Sequence, residues 1–163
     1  MKKLIFRILP AVILFVAAIV VMGGCEKSKY PITVDWSLIG KGAMYGNGAE
    51  NLEPQNIVIK NAAEWQNLIS SMDSHSNTSN SFVEKKIDFD NFIIIAVIDS
   101  VRPNSGYTIS IDKVQEQKNN IQIDIVYQQG NTGYNVMNQP FYIIKIPKYN
   151  KEIIFSPKKY VCV

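Results

Sequence analysis

The run Phe92–Ile98, F-I-I-I-A-V-I, constrains this chain more than any other stretch. It carries no polar side chain, so neither of its faces suits water. Seven residues are short for a helix, and β-branched side chains dominate, which favours an extended backbone. Successive side chains of a strand point to opposite faces, so this run predicts a strand covered on both sides.

The flanking patterns have period two. Tyr107, Ile109 and Ile111 alternate with Thr108, Ser110 and Asp112, and Ile121, Ile123, Ile125 and Tyr127 alternate with Gln122, Asp124 and Val126. Lys118-Asn119-Asn120 between them supplies turn residues that tolerate positive φ, which predicts a β-hairpin. Residues 141–146 and 153–155, separated by Pro147-Lys148-Tyr149-Asn150, predict a second hairpin. Residues 32–39 and 57–59 read as further strands, with the glycine-rich stretch 40–48 as a loop between them. One helix is expected. Asn61 is placed to cap it with Glu64 three positions on, and Trp65, Leu68, Ile69 and Met72 form an apolar stripe. The polar run 73–81 stops that helix and reads as an exposed, mobile loop. The expected class is mainly β (α+β), an antiparallel sheet or sandwich with one packed α-helix.

The N-terminus has a different grammar. Lys2, Lys3 and Arg7 precede residues 8–22, which are uncharged and almost wholly apolar. As a helix that segment spans roughly 22 Å, short of the ~30 Å hydrocarbon core of a bilayer. A basic start, an apolar middle and then Gly23-Gly24 fit a signal peptide over residues 1–24. Met22-Gly23-Gly24-Cys25 resembles the bacterial lipoprotein box, with methionine where leucine is commoner. The resemblance implies that Cys25 becomes the mature N-terminus and carries a thioether-linked diacylglycerol and an N-acyl chain. Each buried methylene contributes ~0.8 kcal/mol, so several chains form a durable membrane anchor. The expected location is the cell envelope, outside the cytoplasm. Residues 25–31 then read as a short tether and residues 32–163 as a single domain. Cys162 is the other cysteine, so a lipidated Cys25 leaves no intramolecular disulfide. Flanked by Val161 and Val163, Cys162 reads as a small apolar side chain near the end of a terminal strand.

Charge narrows the function. Lys2, Lys3 and Arg7 account for the whole formal excess of +3, leaving the rest of the chain balanced. That balance, with no basic patch, argues against a nucleic-acid partner. His75, the only histidine, lies in the polar run with no acid or nucleophile at a fixed spacing. Asp88-Phe89-Asp90 offers two carboxylates for acid–base work, yet the same triplet reads as a turn before a strand. No D-x-[DN]-x-[DN]-G run occurs, and no metal site is expected. The chain therefore reads as a non-enzyme whose only attached group is the lipid on Cys25.

Four fragments follow one another in a recognisable order: Glu64-Trp65-x-x-Leu68, Asp88-Phe89, Pro103-x-x-Gly106-Tyr107, and Pro140-Phe141-x-Ile143-Ile144. Their order resembles the C-terminal domain of the protease-complex subunit PrcB, over residues 57–155, with Ser105 where many members have a second glycine. The resemblance implies a non-catalytic binding or scaffolding accessory that stabilises a surface protein or protease complex. Pro103 fixes φ, Asn104 and Ser105 bond locally, and Gly106 can take a conformation closed to other residues. Residues Arg102, Pro103, Asn104, Ser105, Gly106 and Tyr107 thus read either as a strand-joining turn or as a loop presented to a partner. In the second case Arg102 offers a charge-assisted contact at its rim.

An alternative is a chagasin-type cysteine peptidase inhibitor. Arg102 to Tyr107 is similar in part to the N-P-T-T-G-[YF] loop of that family, but lacks both threonines. Gly130-Asn131-Thr132-Gly133 is similar to its glycine-rich loop. Gln139-Pro140-Phe141 is similar to its R-P-W loop, but lacks the arginine and tryptophan. Trp36, Tyr45, Tyr134 and Tyr149 would offer a stacking surface for a sugar or lipid if the fold brought them together.

Overall fold

The computed structural model describes residues 29–130 and 133–162, with side chains as far as residue 157. Its elements are β1 (Ile32–Thr33), β2 (Ser37–Met44), β3 (Gln55–Ile59), α1 (Ala62–Met72), a 3-10 turn (Thr78–Ser81), β4 (Phe92–Ile98), β5 (Tyr107–Glu116), β6 (Asn120–Gln129), β7 (Gln139–Pro147) and β8 (Glu152–Cys162). The strands form two four-stranded sheets, ordered β1-β5-β6-β8 and β2-β7-β4-β3. All neighbours are antiparallel except β6 and β8. The architecture is mainly β with one packed helix.

The apolar run lies inside the second sheet, between β7 and β3. Its odd residues, Ile93, Ile95 and Val97, meet the first sheet in a core with Ile109, Ile111, Ile121, Ile123 and Ile125. Its even residues, Ile94, Ala96 and Ile98, pack under α1 with Trp65, Leu68, Ile69 and Met72. Two separate layers therefore demand two apolar faces on one strand. Strand β7 obeys the same rule, with Tyr142, Ile144 and Ile146 in the sandwich and Phe141 and Ile143 under the helix.

The helix begins where its capping residues put it. Asn61 Oδ1 accepts the Glu64 N–H at 2.9 Å, and Glu64 Oε2 accepts the Lys60 N–H at 2.9 Å. The C-cap residue, Asp73, accepts the Ser79 N–H at 2.8 Å and the Ser79 hydroxyl at 2.6 Å. This pins the end of the polar run, Thr78–Ser81, as a 3-10 turn with Ser79 buried, while Ser74, His75, Asn77, Asn80 and Ser81 are exposed as the sequence suggested. His75 lies exposed in it, with Nδ1 3.0 Å from Ser74 Oγ.

Three expectations are corrected. Residues 32–39 are not one strand: β1 pairs with β5, the chain crosses between the sheets, and β2 pairs with β7. The glycine-rich stretch is strand as far as Met44. A Cβ at Gly40 would lie 2.5 Å from the Phe82 ring, and Gly42 has φ +151°, so these glycines answer to packing and backbone shape within β2. Residues 141–146 and 153–155 do not form a hairpin. Strand β7 is apolar on both faces and takes a central place, whereas Ile153 and Phe155 of β8 pack inward and Ile154 is exposed. That alternation suits the edge of the first sheet, where β8 runs parallel to β6.

The β5–β6 hairpin forms as expected, with a bulge between Ile111 and Lys113. Among the described residues, positive φ outside glycine occurs at Asn47 and Asn51 and not in the Lys118-Asn119-Asn120 turn.

Candidate functional site

Strand register gathers three loops at one end of the sandwich. Met44 stands opposite Gln139, Gln55 opposite Ile98, and Tyr107 opposite Gln129. Loops 45–54, 99–106 and 130–138 therefore leave from the same end. The far end holds the 117–119 turn and the incoming chain, because Ile32 pairs with Glu116.

The 102–107 segment is a built structure. Asp99, 6 % exposed, accepts two hydrogen bonds from Arg102, Nε to Oδ2 at 2.8 Å and Nη2 to Oδ1 at 2.7 Å. The Ser100 N–H adds a third at 2.8 Å. The Arg102 guanidinium lies over the Tyr107 ring, 5.0 Å from its centroid. Asn104 Oδ1 accepts the Gly106 N–H at 3.0 Å, an Asx turn. Positive-φ glycine occurs at Gly42 and Gly48, so Gly106 does not use the conformational freedom expected of it. Pro103 is exposed at the crest.

This loop is clasped to its neighbour. Arg102 and Asn138 exchange backbone hydrogen bonds at 2.6 and 3.0 Å, and Gly130 N–H donates to Gly106 O at 2.8 Å. Ser105 N–H donates to Tyr134 O at 3.1 Å, while its hydroxyl accepts the Tyr134 N–H at 2.9 Å. Burial pushes the Tyr127 phenol above its ordinary pKa, helped by the Asp99 charge and opposed by Arg102.

The structure brings some expected residues together and separates others. Segments 102–107 and 130–133 meet, although Asn131 and Thr132 lie outside the described residues. Gln139-Pro140-Phe141 is the start of β7 and is buried, so it presents no third loop. Trp36 and Tyr149 pack against the sandwich core, whereas Tyr45 (60 % exposed) and Tyr134 (83 % exposed) stand out from the loop end. Val136 and Met137 are exposed beside Tyr134, an apolar crest that sequence reasoning missed. Their clue was two apolar residues in a stretch otherwise rich in Gly, Asn and Gln. Also missed were the buried Glu50 and Asn138 and the burial of Gln139; their Oε2, Oδ1 and Oε1 respectively have no hydrogen-bond partner among the described residues.

Asp88 and Asp90 form a turn. Asp88 accepts the Asp90 N–H at 3.0 Å and the Asn91 amide at 2.8 Å, and these bonds hold its carboxyl below the ordinary value. Among the described residues no group of three or more His, Cys, Asp or Glu is placed to hold a metal, and no helix is long and apolar enough to cross a membrane. Residues 1–24, read above as a signal peptide, and Cys25 lie outside the described residues, as does the Cys162 side chain.

Comparison with protein-family models, with curated proteins and with solved structures finds no significant match.

Proposed function

We propose that this chain is a non-catalytic envelope lipoprotein, anchored through lipid on Cys25, whose loop end binds another envelope protein. The observation that carries this reading is the polarity of the domain. The chain enters beside Glu116, at the end that a tether from Cys25 would hold near the membrane. Tyr45, Tyr134, Val136 and Met137 are exposed at the opposite end, away from that surface. Exposed aromatic and apolar side chains on loops held by a rigid scaffold are the usual makings of a protein contact. A lipid-binding role for the same crest would need it at the tethered end.

The test is photo-crosslinking in intact cells, with a photoreactive residue at Tyr134 or, as control, at Lys118 in the far turn. A discrete protein adduct from Tyr134 and none from Lys118 is expected. No adduct from Tyr134, or identical adducts from both, overturns the reading.

One observation favours a narrower version, a cysteine peptidase inhibitor: the bond from the Gly130 N–H to Gly106 O joins the first two of the three expected inhibitory segments. The burial of Gln139-Pro140-Phe141 weighs against it. A papain assay at micromolar protein decides, and no inhibition ends that version.

A further inference from the structure

Beside the loop end, a cleft of about 470 Å³ opens between the two sheets. Consecutive residues line it on both sides: Lys41, Gly42 and Ala43 of β2, and Thr108, Ile109 and Ser110 of β5. Consecutive strand residues point to opposite faces, so this cleft takes in the edges of the two strands, and Gln128, bonded to Thr108, shows that it also reaches onto a face of the first sheet. Both strands end their sheets at this side except where β1 covers β5.

That cover is short. Strand β1 meets β5 only at Gln115 and Glu116, and Val34 N–H donates to Val114 O at 2.9 Å before the chain leaves for the second sheet. Among the described residues no other strand lies on this side of β5. Gly106 accepts from Gly130 across the β5–β6 ladder, so Gly106, Thr108 and Ser110 face β6 and Ile109 and Ile111 turn their N–H and C=O groups outward. The bulge after Ile111 shifts the alternation by one, which places Val114 outward as well, where Val34 meets it. An open ladder edge recurs every second residue, at roughly 6.8 Å, and that repeat is matched by an extended polypeptide.

We infer that the outer edge of β5 at Ile109 and Ile111 is a strand-addition site for an extended segment of another protein, carrying an aspartate or glutamate where it passes Lys41. The acidic preference follows from charge complementarity, since Lys41 is the one charged side chain lining the cleft. Asn138 lines it too, 1 % exposed, with an Oδ1 that has no hydrogen-bond partner among the described residues and suits an amide donor. Backbone pairing supplies affinity in such additions, and side chains along the cleft supply choice. The inference deepens the binding reading above and rests on it for the source of the segment.

The experiment uses the full chain in detergent micelles and, as probe, a phage-displayed library of linear dodecapeptides. The recovered peptides are expected to carry Asp or Glu, and a saturating synthetic copy to slow amide exchange at Ile109 and Ile111 by about tenfold or more. Lys41→Glu, at an exposed position, is expected to weaken binding about tenfold. N-methylation of one alternate set of peptide amides is expected to abolish it, because it removes the pairing donors, and methylation of the other set to leave it intact. Absence of enriched peptides, protection confined to residues 133–137, indifference to Lys41→Glu, or binding of chitotetraose in place of any peptide each overturns the inference. If Tyr134 still captures a protein in cells while the peptides fail, strand addition falls and the binding reading stands. If the peptides behave as expected while Tyr134 captures nothing, the loop-end reading falls and strand addition stands.

Discussion

Arg102 holds Asp99 in a planar fork, with its Nε and Nη2 bonded to separate carboxylate oxygens at 2.8 and 2.7 Å. Asp99 is buried directly after the apolar strand, and the arginine bridges it to the Tyr107 ring. The sequence left this arginine either in a strand-joining turn or at the rim of a partner contact; in the fold it braces the loop from within.

Arg102→Ala is therefore expected to destabilise the domain by about 1–3 kcal/mol, less than a fully buried pair because the arginine side chain is 22 % exposed. Arg102→Lys is expected to recover less than half of that loss, because an ammonium cannot reproduce the fork. Urea unfolding of the two variants checks both statements, and an unchanged midpoint for Arg102→Ala removes the arginine from the bracing role.

Gly40→Ala tests the join between β2 and the helical layer. The new methyl would lie 2.5 Å from the Phe82 ring, which stacks on Trp65 at 5.8 Å and meets Phe141 edge-on at 6.0 Å. A ring held on two sides has little room to retreat, so a loss of about 1–3 kcal/mol is expected. Thermal unfolding should show the loss, and Phe82→Leu in the same chain should make the added methyl less harmful.

Local chemistry was legible and long-range placement was not. Asn61 and Glu64 announce the start of α1 because a cap and its donor lie within one turn. Ile93 to Ile98 announce a doubly covered strand because every member is apolar. The place of β8 depends on whether β7 or β6 offers the better surface, which no window around residues 153–155 contains. Gly40 reads as a loop residue until Phe82, distant in sequence, is brought against it. The loop-end crest was half visible: tyrosines advertise themselves as contact residues, whereas the exposure of Val136 and Met137 emerges only once Asn138 and Gln139 are buried beside them.

Asp88 should titrate below the ordinary aspartate value of ~3.9, chiefly through its bond from the Asn91 side chain and then through the Asp90 N–H. A lowered native pKa means that the folded state binds this proton less readily than the unfolded state. Its contribution to stability is therefore complete above the unfolded value and disappears as pH falls through the native one. Carboxyl NMR should find the low midpoint, and Asn91→Ala should move it upward. A midpoint unmoved by that substitution would show that Asn91 is not the cause.

The tether sets the last expectation. Lipid on Cys25 predicts that Cys25→Ser shifts the protein from the membrane to the soluble fraction, and that the wild-type mature mass includes diacylglycerol and an N-acyl chain. Geometry adds a stricter consequence. Seven residues from Cys25 to Ile32 reach at most about 25 Å, and a ten-residue strand such as β5 is roughly 34 Å long. The start of the domain is also fastened down: Lys151 lies over the Tyr30 ring at 4.8 Å and bonds to Glu116 Oε1 at 2.7 Å and Gln117 O at 2.8 Å. A fluorophore at Lys118 should therefore be quenched more strongly by headgroup-labelled lipid than one at Tyr134, in vesicles carrying the lipidated protein. Stronger quenching at Tyr134 would turn the apolar crest toward the bilayer and make it a lipid contact.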